Sequence, residues 1–133
     1  MDVIIGHVGD SRVYHLHRGR LKLITRDQTV VNRLVELGHI TPLEAEHHPR
    51  RSELSQAIGG RNDVLPEIVK TILVPGDWLL VCSDGLTNQL PEEALEAVLR
   101  ESHCAEKAAR RLVNLAVLDG AMDNVTVAIV RAT

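Results

Sequence analysis

Three aspartates stand where an apolar run stops. Asp10 follows Val3–Val8, Asp84 follows Trp78–Cys82, and Asp123 precedes Asn124–Val130. Each has a glycine close by, at Gly9, Gly85 and Gly120. Strand ends hold a side chain firmly, and glycine lets a backbone approach a ligand closely. Carboxylates gathered from strand ends hold hard cations: Mg²⁺ and Mn²⁺ take oxygen donors in octahedral geometry and keep several waters. Taken singly, Gly-Asp and Asp-Gly are ordinary turn chemistry. Taken together, they point to a divalent-cation centre, provided the chain brings distant turns to one place.

Other residues compete for attention. His15 and His17, two apart on a strand, point the same way, as metal ligands can. With no Cys or third His in register, exposed strand histidines are the plainer reading. His47-His48-Pro49-Arg50-Arg51 is a basic loop. Arg50 or Arg51 could fork onto a phosphate; otherwise the loop is simply solvated. Ser83 lacks the G-x-S-x-G surroundings of a nucleophile elbow. Arg12 suits a structural ion pair, Asp27 a helix cap, Asn124 a residue orienting the Asp123 turn, and Asp119 a surface charge at a helix end. Gly59-Gly60-Arg61-Asn62 lacks the lysine and helix of a phosphate-binding loop, so a nucleotide-binding domain is disfavoured.

The elements that must position these groups follow from periodicity. Val3–Val8 is β-branched and reads as a buried strand, and Gly9-Asp10-Ser11 as a turn or bulge. Arg12–His17 alternates, Arg18-Gly19 reads as a hairpin turn, and Leu21–Thr25 as the returning strand. From Asp27 the period becomes helical, with Val30, Val31, Leu34, Val35 and Leu37 on one face and Gly38 at the stop. Thr41, Pro42 and Glu44 open a second short helix as cap, first position and third position. Residues 47–62 read as a mobile surface excursion with an ordered piece near Leu54 to Ile58. Leu65–Leu73 alternates weakly as a strand, Pro75-Gly76-Asp77 turns, and Trp78–Cys82 is a buried strand. Helices run from Pro91 to about Arg100 and from Ala105 to Leu118, and Asn124–Arg131 is a final strand. Strands clustered at both ends with helices between argue α+β rather than an alternating parallel sheet.

Composition bounds the rest. The 133 residues are about one domain, able to bury about 68% of the unfolded surface. Apolar residues make up 44% and charged residues 25%, which is globular. Aromatics are only 2%, so the core must be aliphatic. A net charge of −3 leaves no footprint for nucleic acid. No apolar run approaches the roughly 20 residues of a membrane helix, and no leader is visible. Cys82 and Cys104 make no disulfide framework, which fits a reducing, cytoplasmic setting.

At this point the motifs carry a resemblance. Val8-Gly9-Asp10-Ser11-Arg12, Leu23-Ile24-Thr25-x-Asp27, Gly76-Asp77-x-Leu79-Leu80-x-Cys82-Ser83-Asp84-Gly85-Leu86 and Asp123-Asn124-Val125-Thr126 occur in this order. Together they resemble the later motifs of the metal-dependent serine/threonine phosphatases of the PP2C (PPM) family, bacterial type, across essentially the whole of 1–133. The resemblance implies an antiparallel β-sandwich flanked by helices, and a flap-like segment at about 27–60. It implies two or three Mn²⁺ or Mg²⁺ ions, with Asp84 and Asp123 as ligands and Asp10 supporting a third, weaker site. It further implies hydrolysis of phosphoserine or phosphothreonine in proteins by a metal-activated water, with no protein nucleophile.

The earlier half of the family's domain has no counterpart here, including its phosphate-binding Arg, an acidic residue near its N-terminus and its bridging Asp-Gly segment. The expectation is therefore a C-terminal portion of the domain, a partial sandwich. Half a sandwich leaves apolar faces and open edges, and Met1 stands only two residues before the first strand. That suggests pairing with a second copy, a strand-swapped dimer, or a separate N-terminal half. The alternative to an enzyme is a catalytically incomplete phosphatase-like module that works by binding or assembly.

Overall fold

Antiparallel strand pairs build two sheets, joined by a small shared core. The computed structural model describes residues 1–60 and 63–133; Arg61 and Asn62, at the end of the glycine-rich stretch, lie outside the described residues. The strands are β1 (Asp2–His7), β2 (Arg12–His17), β3 (Arg20–Leu23), β4 (Glu67–Ile72), β5 (Trp78–Cys82) and β6 (Val127–Arg131). The helices are α1 (Val30–Glu36), α2 (Pro42–Glu46), α3 (Asp84–Thr87), α4 (Glu92–Glu101) and α5 (Ala105–Leu118). One sheet has the order β3-β2-β5-β6, and the other pairs β1 with β4.

The larger sheet buries both faces of its centre. In β2 and β5 the registered pairs run from Arg12 opposite Cys82 to Leu16 opposite Trp78. Tyr14, Leu16, Trp78, Leu80 and Cys82 point to the helices, where Leu95, Val98 and Leu99 of α4 and Ala108, Leu112 and Ala116 of α5 close the main core. Val13 and Leu79 point the other way and pack with Leu73, Ala132 and the inward side chains Val3 and Ile5 of β1. This second, smaller core is what joins the two sheets. The core is aliphatic apart from Tyr14, Trp78 and Cys82, in keeping with the scarcity of aromatic residues.

The β2–β3 turn places Arg18 at φ 49° and Gly19 at φ 77°, the two positive values that let a tight turn follow the right-handed strand twist. In α2, Thr41 and Glu44 form the reciprocal cap expected from their spacing.

Three expectations need correction. β1 is half-buried rather than buried: Ile4 is 69% exposed, because the β1–β4 sheet is covered on one side only. The cap of α1 is Thr29, whose hydroxyl accepts the Asn32 N–H, and not Asp27. The last strand begins at Val127, because Asn124 and Thr126 are engaged instead with Ser83.

Candidate functional site

Because β2 and β5 run antiparallel, the start of one lies beside the end of the other. Asp10 sits just before β2 and Asp84 just after β5, so strand pairing alone brings them to one end of the sheet. Both line a cavity of about 710 Å³. Burial, and then the negative charge of Asp84, push the Asp10 carboxyl above the ordinary carboxylate range. Arg12 shares this wall, but its guanidinium is engaged: Nε lies 3.0 Å from Oδ1 of Asp27, and Nη2 lies 2.7 Å from Oδ2. Arg12 thus makes the structural ion pair expected of it, and Asp27 is its partner. A divalent cation fits this chemistry, since two crowded carboxylates are hard oxygen donors and their mutual repulsion favours a cation between them.

The turn that carries Asp123 is tied to the end of β5 through its neighbours. The Ser83 hydroxyl donates to the Asn124 carbonyl at 3.3 Å and accepts the Thr126 N–H at 3.0 Å. The Ser83 N–H in turn donates to the Thr126 carbonyl. Beside this, Gly85 packs so tightly on the Asn124 carbonyl that a Cβ there would overlap it. The turn carrying Asp123 is thereby stitched to Ser83-Asp84-Gly85. Asp123 itself is exposed, lies outside the cavity lining, and accepts the Asn124 N–H through Oδ1 at 2.7 Å. Asn124 contributes here through its backbone.

The opposite wall is helical: Asn32 and Val35 of α1, and Ala45 and Glu46 of α2. This wall is tied down at its base. Gly9 N–H donates to the Gln28 side chain, and Gln28 N–H returns to the Gly9 carbonyl at 2.8 Å. Thr29 bridges to Leu54, the ordered piece expected in the excursion. Arg51 lines the cavity. Arg50 does not; it forks onto Glu53 at 2.6 and 2.7 Å on the surface.

The other end of β2 and β5 holds a group that the sequence reading separated. His15 and His17 are not simply exposed strand histidines; both imidazoles are bound to the buried carboxylate of Asp77. The available signal was the i, i+2 histidine pair, but only the β2–β5 register reveals its partner 60 residues away. Cys82 is buried in the main core, and burial pushes its thiol up to about 11, which makes it chemically inert.

No family model matches the chain. Its sequence is 38% identical over 128 residues to the protein phosphatase PhpP of Streptococcus pneumoniae, covering 96% of this chain and 52% of that protein. It is 43% identical over 123 residues to the serine/threonine protein phosphatase PstP of Mycobacterium tuberculosis, covering 92% of this chain and 24% of PstP. The fold superposes on the serine/threonine phosphatase of S. agalactiae with a TM-score of 0.95 at 39% identity, over 99% of this chain and 55% of that one. It superposes on the catalytic domain of PstP in complex with two manganese ions with a TM-score of 0.80 at 38% identity, over 96% of this chain and 52% of that one. The chain spans about half the length of PhpP and of these two solved chains.

Proposed function

The chain belongs to the PP2C-type protein serine/threonine phosphatases as about half of their domain, matching the expected C-terminal portion, and on that premise we propose that it contributes one wall of a metal-dependent phosphoprotein phosphatase site. The observation that carries this reading is the meeting of Asp10 and Asp84 at one end of the β2–β5 pair, in a shared cavity. Asp84 and Asp123 act as metal ligands, and Asp10 supports a further ion. Divalent cations there supply charge neutralisation at the phosphoryl oxygens and make a coordinated water acidic enough to act near neutral pH. The cation is Mn²⁺ or Mg²⁺, and the catalytic domain of PstP is in complex with two manganese ions.

The residues of this chain hold and shape. The Arg12 guanidinium is forked onto Asp27, which leaves the Asp10 and Asp84 carboxylates without a hydrogen bond from it. Arg51 faces the cavity and offers two parallel N–H donors to a phosphate. The α1–α2 wall, the flap-like part of segment 27–60, limits solvent at the cavity mouth and contacts the protein that carries the phosphate. The substrate is a phosphoserine or phosphothreonine protein.

Hydrolysis of a phosphothreonine peptide by the chain with Mn²⁺ tests this. Metal-dependent turnover that falls at least about 100-fold in Asp84→Asn supports the enzyme. Equal background in both chains favours a second reading, a phosphatase-like binding or assembly module. That reading draws on the half-domain span and on the exposed apolar side chains Ile4, Ile68 and Ile72.

A further inference from the structure

The far end of the β2–β5 pair carries a second constellation. Extending the register by one step past Leu16–Trp78 sets His17 opposite Asp77, and His15 two residues along on the same face. His15 Nε2 lies 2.9 Å from Asp77 Oδ2, and His17 Nδ1 lies 2.9 Å from Oδ1. These ligand atoms all lie within 4.8 Å of one another. Asp77 is 3% exposed, and its Oδ2 also accepts the Val74 N–H at 3.1 Å, which fixes the carboxylate plane. Burial works against its charge, but hydrogen bonds from His15, the Val74 amide and His17 outweigh that and hold its carboxyl below the ordinary range. An ionised carboxylate only accepts, so in these two bonds the ring nitrogen facing Asp77 is the donor.

We propose that His15, His17 and Asp77 form a transition-metal site, with zinc as its metal, separate from the acidic end of the sheet. Two imidazoles and one carboxylate are a zinc ligand set, and a tetrahedral ion needs ligand atoms about 3.3 Å apart at metal distances near 2.0 Å. The carboxylate–imidazole separations are already close to that. The two imidazoles reach it by small side-chain rotations, toward which His17, 45% exposed, is free on one side. That side also leaves a fourth position open to solvent. On coordination, each imidazole gives up the proton facing Asp77: a neutral ring carries its proton on the other nitrogen, and a charged ring releases one to solvent. Asp77 keeps the Val74 amide as the bond that orients it. Arg20 and Lys22 stand opposite His17 and His15 on β3, but both are exposed and carry their charges into solvent. Asp77 and Asp84 are seven residues apart along β5 and its end, about 20 Å. No group is therefore shared with the phosphatase site, and this inference stands independently of the proposed function.

The test is a zinc titration of the 133-residue chain by calorimetry, with Co²⁺ absorption as the spectroscopic counterpart. With the acidic end removed in an Asp10→Asn/Asp84→Asn background, one equivalent should bind, at least about tenfold more weakly when His15→Gln/His17→Gln is added, and unchanged when His47→Gln/His48→Gln is added. A His15/His17 variant that binds zinc as tightly as that background, or a background that binds none, overturns the site. Should the variant fail to fold, ¹⁵N spectra of the unsubstituted chain decide the matter. One equivalent of zinc should move the His15 Nε2 and His17 Nδ1 resonances, and unmoved resonances overturn the proposal.

Discussion

A methyl group at position 85 would run into the carbonyl of Asn124. That contact is one of the ties holding the Asp123 turn to the end of β5; the others pass through Ser83. Backbone lies on both sides, so neither can move aside as a flexible side chain would. Gly85→Ala should therefore destabilise the chain by about 1–3 kcal/mol, the usual penalty for overpacking. It should also loosen the Asp123-Asn124 turn from Ser83-Asp84-Gly85. Urea denaturation measures the first effect. The second appears as a weaker gain in melting temperature on adding Mn²⁺, compared with the parent. A variant as stable as the parent and equally stabilised by Mn²⁺ would show that the close approach does not position the acidic turn.

At the scale of elements, the helical layer closes the main core over one face of the larger sheet. α5 presents Ala108, Leu112 and Ala116 to the sheet, all fully buried, while Val117 on its other side is 61% exposed. Leu112→Ala should cost about 3 kcal/mol, through lost burial and a residual cavity. Val117→Ala should stay within about 0.5 kcal/mol. Equal losses in denaturation midpoint would mean that α5 does not pack by this face. The same periodicity made α4 and α5 legible in the sequence, as did the Thr41–Glu44 cap of α2, because these signals are local. α3 was not anticipated: Asp84–Thr87 is a single turn of helix, and its residues read equally well as a loop. Asp27 looked like a cap because it precedes a helical period; only the fold brings Arg12 to it. The sequence marks Asp10 and Asp84 by the apolar runs they border, and strand pairing brings both to one cavity, whereas Asp123 stands four residues before β6 and outside that lining. The His15–His17–Asp77 group was not legible, since its cohesion depends on strand register. The half-exposure of β1 could not be read either, because it depends on what covers the other sheet.

That other sheet is where the molecule as a whole stands open. β1 and β4 form a two-stranded ribbon, a unit marginal by itself and held here by Val3 and Ile5 packing on the larger sheet. Its inward apolar side chains Val3 and Ile5 are packed, but its outward face carries Ile4 at 69%, Ile68 at 58% and Ile72 at 64% exposure. Ile4 stands opposite Lys70, which lies between the two other isoleucines and places one charge in the middle of the patch. Among the described residues, both strands also present unpaired backbone edges, the feature through which sheets join other chains. A face of this kind, on a chain half the length of the solved phosphatases it matches, should seek cover. We therefore expect the 133-residue chain to self-associate through the β1–β4 ribbon, with a sedimentation coefficient that rises with concentration. Ile68→Lys/Ile72→Lys should abolish that rise while leaving the helical core folded by circular dichroism, since neither side chain reaches it. A parent that sediments as a monomer independent of concentration would mean that one central lysine suffices to keep this face in water.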